Sequence, residues 1–217
     1  MRERTRTYGV AMTLNRPVAA WGELKVGGLD AVPESGPLLI LGNHDSHWDP
    51  IMVGIAARKR RQIRALAKSD LWKVRGLAPI LNGMGQIPIE RGKGDAHAMD
   101  RAIEMLRAGA CIGVFPEGTR SKGRELRARS GFGRLADAVP EAHIVSCTVT
   151  GTVDLPKFPR QRPHVRVHFF EPSGGQRQPG ETPTELSTRL LAEIRAQAPR
   201  VPTGRRARPA AEQAPVG

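Results

Sequence analysis

Short apolar runs alternate with helix-like patterns through the middle of this 217-residue chain. Apolar runs bounded by polar or glycine-containing turns are typical of strands that are buried on both faces of a sheet. Alternation of such strands with helices is typical of α/β folds, in which most strands run parallel. The pattern therefore predicts an α/β fold with a largely parallel central sheet flanked by helices.

Several segments have the character of strands. PLLILGN (37–43) predicts a buried strand that ends in a polar loop, and CIGVF (111–115) predicts one that breaks at proline. IRALAK (63–68) fits a strand, although its pattern favours a helix almost as well. The other candidates are GQIPIER (85–91), IVSCTVTG (144–151) and HVRVHFF (164–170). The polar alternation of the last segment suits a position near the sheet edge.

Three segments have the character of helices. Asp95 is a candidate N-cap, and it precedes apolar residues at helical spacing, namely Met99, Ala102, Ile103 and Leu106. GFGRLADAV (131–139) predicts a short helix. The segment 182–185 (TPTE) has the form of a capping box with proline at the first helical position. The apolar stripe of the helix that follows consists of Leu186, Leu190 and Ile194.

The length of the chain supports one well-buried core and leaves little room for a second full domain. From Pro199 onward the sequence is rich in Pro, Arg and Ala, a composition typical of disorder. We therefore expect one domain over residues 1–198 and a basic, disordered tail over residues 199–217. Cys111 and Cys147 lie inside apolar runs, which predicts buried thiols in adjacent strands and a reducing compartment.

The charge of the chain limits the classes of binding partner that we expect, but it does not select one class. The chain has 34 Lys and Arg against 21 Asp and Glu, a formal net charge of +13. Such an excess favours a nucleic acid, an anionic membrane surface or a phosphorylated ligand. The N-terminus lacks the apolar core of a signal peptide, and no stretch approaches about 18 uninterrupted apolar residues. We therefore predict no transmembrane helix, so that any contact with membrane is peripheral.

The first cluster of candidate catalytic residues is NHDSHWD (43–49), which directly follows the PLLIL strand. Ligands bind at the ends of parallel strands because loops and helix N-termini converge there. Asp49 can accept a hydrogen bond from one ring nitrogen of His44, which leaves the other nitrogen to take a proton from a hydroxyl. His44, Asp45, His47 and Asp49 are also competent metal ligands, but the other histidines supply no second ligand motif.

The second cluster is FPEGTRS (115–121), which follows the CIGVF strand. Gly118 lets backbone amides approach an anion. Thr119 and Ser121 add hydroxyl donors, and the fork of Arg120 suits a phosphate. Glu117, beside these donors, can orient an arginine or a ligand hydroxyl. The loop is therefore a candidate anion site.

Together, these two segments resemble the motifs of the lysophosphatidic acid and glycerol-phosphate acyltransferase family. That family is marked by an Asn-His block with Asp five residues after His, and by FPEGTRS at a typical spacing. The resemblance covers residues 38–151 and implies a glycerolipid acyltransferase-like fold with His44 and Asp49 as catalytic residues. It also implies basic residues that hold the acceptor's phosphate, at Lys68 in ALAKSDL and at Arg91 in GQIPIER.

By this resemblance the phosphate-binding residues are Lys68, Arg91, Glu117, Gly118, Thr119 and Arg120. Lys68, Arg91 and Arg120 can together neutralise a phosphate dianion. Two departures stand outside the reacting centre. Arg129-Ser130-Gly131 replaces the usual Lys-x-Gly, which makes Arg129 a candidate substitute, and Val145-Ser146-Cys147 replaces a Val-Pro-Val segment. We expect them to alter substrate detail rather than the chemistry.

The resemblance implies an enzyme of phospholipid biosynthesis that moves a fatty acyl group from a thioester to a lysophospholipid hydroxyl, and we expect 1-acyl-glycerol-3-phosphate as the acceptor. The thioester is a co-substrate, carried by coenzyme A or acyl carrier protein, and no cofactor or metal is implied. We expect a cytoplasmic protein that is peripherally associated with an anionic membrane surface. The basic run 58–64 and the apolar positions of the N-terminal segment, Val10, Met12, Leu14, Val18 and Trp21, are the candidate membrane contacts.

Two other classes of function remain as alternatives. A nucleic-acid-binding protein would account for the charge excess and the Arg-rich tail, but aromatic residues are only 4% of the chain and no zinc-finger spacing occurs. A metal-dependent hydrolase would use the His44 and Asp49 loop. Bound zinc, or loss of activity in chelator, would favour the hydrolase.

Overall fold

The computed structural model describes residues 4–90, 95–157, 160 and 162–201. Within these residues, strands form one sheet: β1 (Lys25–Gly27), β2 (Leu38–Gly42), β3 (Ile63–Lys68), β4 (Ile87–Ile89), β5 (Cys111–Val114), β6 (His143–Thr150) and β7 (Arg166–Phe170). The α-helices are α1 (Arg6–Leu14), α2 (Arg16–Trp21), α3 (Asp49–Ala57), α4 (Leu77–Gly83), α5 (Ala96–Arg107), α6 (Gly131–Ala138) and α7 (Pro183–Gln197). Short 3-10 helices cover Leu29–Ala31, Ser69–Lys73 and Thr152–Lys157.

The sheet is largely parallel, as the sequence predicts. Its strand order is β1-β7-β6-β2-β5-β3-β4. β2 to β6 run in the same direction, whereas β7 is antiparallel to β6 and pairs with β1 in parallel. β7 is therefore next to the edge, and β1, which the apolar pattern does not predict, forms the edge itself.

Alternate residues of the central strand β2 face two separate cores. Leu38 and Ile40 pack with α1 and α3 on one side of the sheet. Leu39 and Leu41 pack with α5, α6 and α7 on the other side. Side chains of a strand alternate between faces, so a strand covered by helices on both sides must be apolar at every position. All five residues of β2 are accordingly buried.

The predicted helix starts are confirmed. The Asp95 carboxylate accepts a hydrogen bond from the backbone N–H of Ala98, which caps α5. Thr182 and Glu185 form the reciprocal capping box at the start of α7, and Leu186, Leu190 and Ile194 of that helix are buried. These caps satisfy amide groups that the first turn of a helix leaves without an internal partner.

Three expectations need correction. Cys111 and Cys147 are buried free thiols, but β2 lies between their strands, so the strands are not adjacent.

The run 58–64 is not a continuous exposed patch, because Arg61 and Arg64 are buried and Arg60 pairs with Asp30. Arg61 donates instead to backbone carbonyls of loops at the base of the sheet. Met12 is likewise a core residue of α1.

None of the described helices combines the length and the apolar character needed to cross a bilayer. Arg91 and residues 202–217 of the predicted tail lie outside the described residues.

The close approach of α6 to α7 generates a stability prediction. A Cβ atom at Gly133 would lie 2.0 Å from the carbonyl oxygen of Pro183, whereas a Cβ at Gly131 would meet nothing within 4 Å. We expect Gly133→Ala to lower the free energy of unfolding by about 1–3 kcal/mol through overpacking. Gly131→Ala, in the same helix, is the control and should be neutral or slightly stabilising. Urea denaturation checks this, and equal midpoints for both variants would contradict it.

Candidate active site

Two loops that are distant in sequence meet at the carboxyl ends of neighbouring strands. Leu41 of β2 pairs in register with Val114 of β5, so the loops after these strands begin side by side. The backbone N–H of His44 donates to Oε2 of Glu117 at 2.7 Å, and the N–H of Ser121 donates to the carbonyl of His44 at 2.8 Å. The NHDSHWD and FPEGTRS loops therefore meet in space.

His44 is held by the carboxylate of Asp49, the first residue of α3. Its Nδ1 lies 2.9 Å from Oδ2 of Asp49. The same oxygen accepts from the backbone N–H groups of Asp45 at 2.6 Å and Ser46 at 2.7 Å, while Oδ1 accepts from the Thr152 hydroxyl. Because an ionised carboxylate can only accept hydrogen bonds, Nδ1 is the donor in this contact, and Nε2 is the nitrogen that keeps its lone pair in the neutral ring.

The His44 ring stacks on the ring of Phe115, with centroids 4.6 Å apart and an angle of 19° between planes. The side chain is 10% exposed, and the ring lines a cavity. Aromatic stacking and the hydrogen bond to Asp49 restrain the ring in two directions. The imidazole is therefore fixed in place while one edge can reach a ligand.

The cavity has a volume of about 760 Å³, within the usual range for small-molecule sites. Its wall is mostly apolar and includes Met12, Ile40, Val53, Ile63 and Leu81. Three glycines keep it open. A Cβ at Gly113 would lie 2.6 Å from Ile63 Cγ2, and a Cβ at Gly54 would lie 2.8 Å from Met12 Sδ. Gly42, at the end of β2, also lines the space.

Basic side chains line the same cavity as His44. They belong to Lys68 at the end of β3, to Arg120, and to Arg129 further along the same loop. Lys68 pairs with Asp70, which also holds Lys73 at 2.8 Å. Within the described part of the chain, no ion pair engages Arg120 or Arg129. Their two positive charges therefore remain available for an anion.

The turn of the FPEGTRS loop depends on Gly118, whose φ of +69° lies in the left-handed region. A Cβ at this position would lie 2.4 Å from Nε of Arg129, so glycine also admits that guanidinium. Gly118, Thr119 and Arg120 line the cavity with Lys68, so the structure brings together four of the predicted phosphate-binding residues. Glu117 instead turns away from the cavity and is buried.

Glu117 belongs to a buried ion cluster around Arg195 of α7. The Arg195 guanidinium donates to both oxygens of Asp45, at 2.9 and 3.0 Å, and Nη2 donates to both oxygens of Glu117, at 2.6 and 2.7 Å. Burial alone would raise the pKa of Asp45, but hydrogen bonds from Arg195 and Ser121 outweigh it and hold the pKa below its ordinary value. Asp45 therefore stays ionised at neutral pH.

His47 lines the cavity beside these groups. Partial burial lowers the pKa of its imidazole below the ordinary value, and the positive charge of Arg120 and the proximity of His44 lower it further. His47 is therefore neutral at pH 7 and can both donate and accept a hydrogen bond.

The sequence did not point to several residues that build this site. The sequence predicts Asp45 only as a competent metal ligand, and its patterns assign no role to Arg195 or Thr152. Arg195 does give one signal, because it falls four residues after the buried Leu191 and thus on the inward side of α7. Asn43 belongs to the NHDSHWD motif, whose sequence does not predict that its side chain accepts from the backbone N–H of Val149 and donates to the carbonyl of the same residue. Among the described residues, no group of three or more His, Cys, Asp or Glu side chains is arranged to hold a metal ion.

Comparison with known proteins agrees with this geometry. A family model described as Acyltransferase matches residues 23–150, more than half of the chain and both loops of the site. This chain belongs to the Acyltransferase family.

Relatives of this acyltransferase-family chain include proteins named for different acceptors. It is 34% identical over 104 residues to the 1-acyl-sn-glycerol-3-phosphate acyltransferase of Borreliella burgdorferi, covering 47% of this chain and 41% of that protein. It is 32% identical over 110 residues to the lyso-ornithine lipid O-acyltransferase of Rhizobium meliloti, covering 49% of this chain and 36% of that protein. The matches thus span less than half the length of these relatives.

A solved structure shares the fold of the acyltransferase-family chain. The 1-acyl-sn-glycerophosphate (LPA) acyltransferase PlsC from Thermotoga maritima superposes with a TM-score of 0.66 at 19% identity, over 88% of this chain and 78% of that one. At this identity the likeness establishes the fold alone.

Proposed function

We propose that this protein transfers a fatty acyl group from a thioester to the hydroxyl of a lysophospholipid, with 1-acyl-glycerol-3-phosphate as the favoured acceptor. The observation that carries the proposal is the hydrogen bond from His44 Nδ1 to Asp49 at the wall of a mostly apolar cavity. A polar base, a cationic group and an apolar space in one cavity match an acceptor that has a hydroxyl, a phosphate and an acyl chain. Family membership and the names of the relatives support the same reaction class.

In the proposed reaction, His44 acts as general base. Its Nε2 takes the proton of the acceptor hydroxyl as the hydroxyl oxygen attacks the thioester carbonyl carbon. The negative charge of Asp49 stabilises the imidazolium that forms. Collapse of the tetrahedral intermediate breaks the carbon–sulfur bond, and the leaving thiolate takes the proton back from His44. The thioester belongs to coenzyme A or acyl carrier protein, so the reaction needs no nucleophile from the protein.

Arg120 and Arg129 are the proposed anchors for the acceptor's phosphate, with Lys68 at the side of the cavity. Two guanidinium groups that pair with no carboxylate in the described part of the chain can each bind a phosphate through paired N–H donors. Lys68 shares Asp70 with Lys73, so its charge is partly neutralised. The apolar wall of the cavity supports an acyl chain as the group that fills it.

Replacement of His44 tests the reaction. We expect His44→Ala to lower kcat by about 10²–10⁴-fold, the usual contribution of a general base. The assay is mass-spectrometric detection of product from acyl-CoA and acyl carrier protein donors, with 1-acyl-glycerol-3-phosphate and lyso-ornithine lipid as parallel acceptors. His97→Ala, at an exposed position of α5, is the control and should keep wild-type activity. Normal transfer by a folded His44→Ala variant would eliminate the mechanism, and no product from wild type with either acceptor would eliminate the function.

Replacement of Arg120 tests the phosphate anchor. We expect Arg120→Ala to raise the KM for 1-acyl-glycerol-3-phosphate by about tenfold, because the arginine binds substrate before and during reaction alike. Arg124→Ala, in the same loop but outside the cavity, should leave that KM unchanged. An unaltered acceptor KM in the Arg120 variant would argue against the assignment. A rise for both acceptors would indicate that Arg120 binds a feature other than the phosphate.

Peripheral docking on an anionic membrane is part of the proposal, because the acceptor resides in a bilayer. Val10 and Leu14 on α1 are 59% and 73% exposed. Leu71, Val74 and Ile80, on the neighbouring segment that contains α4, are also exposed. α1 packs against α4 through Thr7 and Gly83, and both helices contribute to the cavity wall. Apolar side chains thus stand out from the elements that surround the cavity.

Liposome flotation tests the docking surface. We expect wild type to float with anionic vesicles at low salt, since each basic group near such a surface contributes about 1 kcal/mol. The double variant Val10→Ser/Leu14→Ser should float less, because two exposed apolar side chains are lost. Val26→Ser, which removes an exposed apolar side chain from the edge strand β1, is the matched control and should float as wild type does. Wild type that stays unbound under these conditions would refute the docking scheme.

A further inference from the structure

Arg195 is a buried cation that joins the two loops of the site from a distant part of the chain. It lies in α7, beyond residues 23–150 that the Acyltransferase family model matches. Its side chain is 4% exposed and reaches both carboxylates described above, Asp45 after β2 and Glu117 after β5. A single guanidinium therefore links α7 to the ends of two central strands.

The two carboxylates hold the backbone on either side of the His44 side chain. Glu117 Oε2 accepts the N–H of His44 itself, at 2.7 Å. Asp45 is the next residue, and its side chain also accepts from the Ser121 hydroxyl and from Asn43 Nδ2. The carbonyl between them accepts from the N–H of Ser121. The position of the His44 backbone thus depends on two acidic groups from different loops.

Those acidic groups need a cation between them. Two buried carboxylates that bind one guanidinium are close enough to repel each other when the cation is absent, and neither is solvated. The planar fork of arginine can serve both at once, whereas an ammonium group is a single point of charge. Loss of the guanidinium would therefore separate the loops or protonate one acid, and either event would release the backbone of His44.

We propose that Arg195 is a positioning residue of the transfer reaction, which holds Asp45 and Glu117 together so that His44 keeps its orientation toward Asp49 and the cavity. The proposal rests on the proposed role of His44 as general base. Arg195 itself does not line the cavity, so it acts through the two loops and touches neither substrate.

The test compares three folded variants with wild type. Arg195→Met removes the charge and keeps most of the length, and Arg195→Lys keeps one positive charge without the fork. Arg189→Met is the matched control, because Arg189 also belongs to α7 and makes a two-point ion pair with Glu181, at 2.6 and 2.9 Å, away from the site. Thermal unfolding verifies that each variant is folded at the assay temperature.

We expect Arg195→Met to lower kcat by about tenfold or more while the acceptor KM stays within about twofold, because a misplaced base slows the chemical step and leaves binding intact. Arg195→Lys should recover part of kcat. Arg189→Met should keep kcat, although it loses an ion pair of the same form. A kcat within about twofold of wild type in folded Arg195→Met would overturn the proposal.

A second readout does not depend on activity. In protein labelled with ¹⁵N-histidine, the His44 ring signals, assigned by their absence in His44→Ala, should show one tautomer with hydrogen on Nδ1. Arg195→Met should broaden or shift these signals, and Arg189→Met should not. Unchanged His44 signals in folded Arg195→Met would overturn the proposal even if wild type proved to have no transfer activity.

If Arg195→Met does not fold, the Arg195→Lys variant tests the proposal in its place. Wild-type kcat and wild-type His44 signals in that variant would overturn the proposal.

Discussion

The carboxylate of Asp49 is the constraint on which the site depends. It is buried at the first turn of α3, and its oxygens accept from the His44 ring, from two backbone amides of the preceding loop and from the hydroxyl of Thr152 after β6. A buried carboxylate is stable only when such donors surround it. The same set of bonds that compensates its burial therefore shapes the loop, starts the helix and selects the tautomer of His44.

The polar residues of the site and the apolar residues of the cavity line the same space because the central strands β2 and β5 end there. Side chains of β2 and β5 fill both faces of the sheet until the strands reach Gly42 and Gly113, where the absence of a side chain leaves space under α3. The loops that follow then place His44, Gly118 and Arg120 at that space. A sheet whose interior is closely packed thus opens at one end into a compartment that suits an amphipathic ligand.

The sequence predicted the elements whose patterns are local, and it missed the contacts that depend on three-dimensional packing. The runs PLLIL and CIGVF are apolar throughout because both of their faces are covered, so they predict central strands directly. Lys25–Gly27 has no such pattern, since an edge strand of three residues is defined by its partner β7 and not by its own composition. The burial of Arg61 within the basic run 58–64 could not be predicted for the same reason, because the backbone carbonyls that bind its guanidinium come from other segments of the chain.

Within the site, the pair His44 and Asp49 was predictable because Asp49 is the fifth residue after His44 and one turn connects them. The role of Asp45 and Glu117 was not, because it is defined by Arg195, which is 150 residues away from Asp45 in the chain. The loop sequence predicts that Glu117 orients either an arginine or a ligand hydroxyl, and its observed partner is an arginine, Arg195. Sequence identifies the acceptor chemistry of such a carboxylate, and only packing determines the direction in which the side chain points.

The pairing of β1 with β7 has a consequence for the order in which the chain can assemble. β1 precedes the other six described strands along the chain, but its strand partner among the described residues is β7, which follows them all. Domains synthesised from the N-terminus hold early segments in incomplete contacts until later ones arrive. β1 therefore cannot join the sheet before β7 has been made, so this edge of the sheet is completed only after the two strands that carry the loops of the site, β2 and β5.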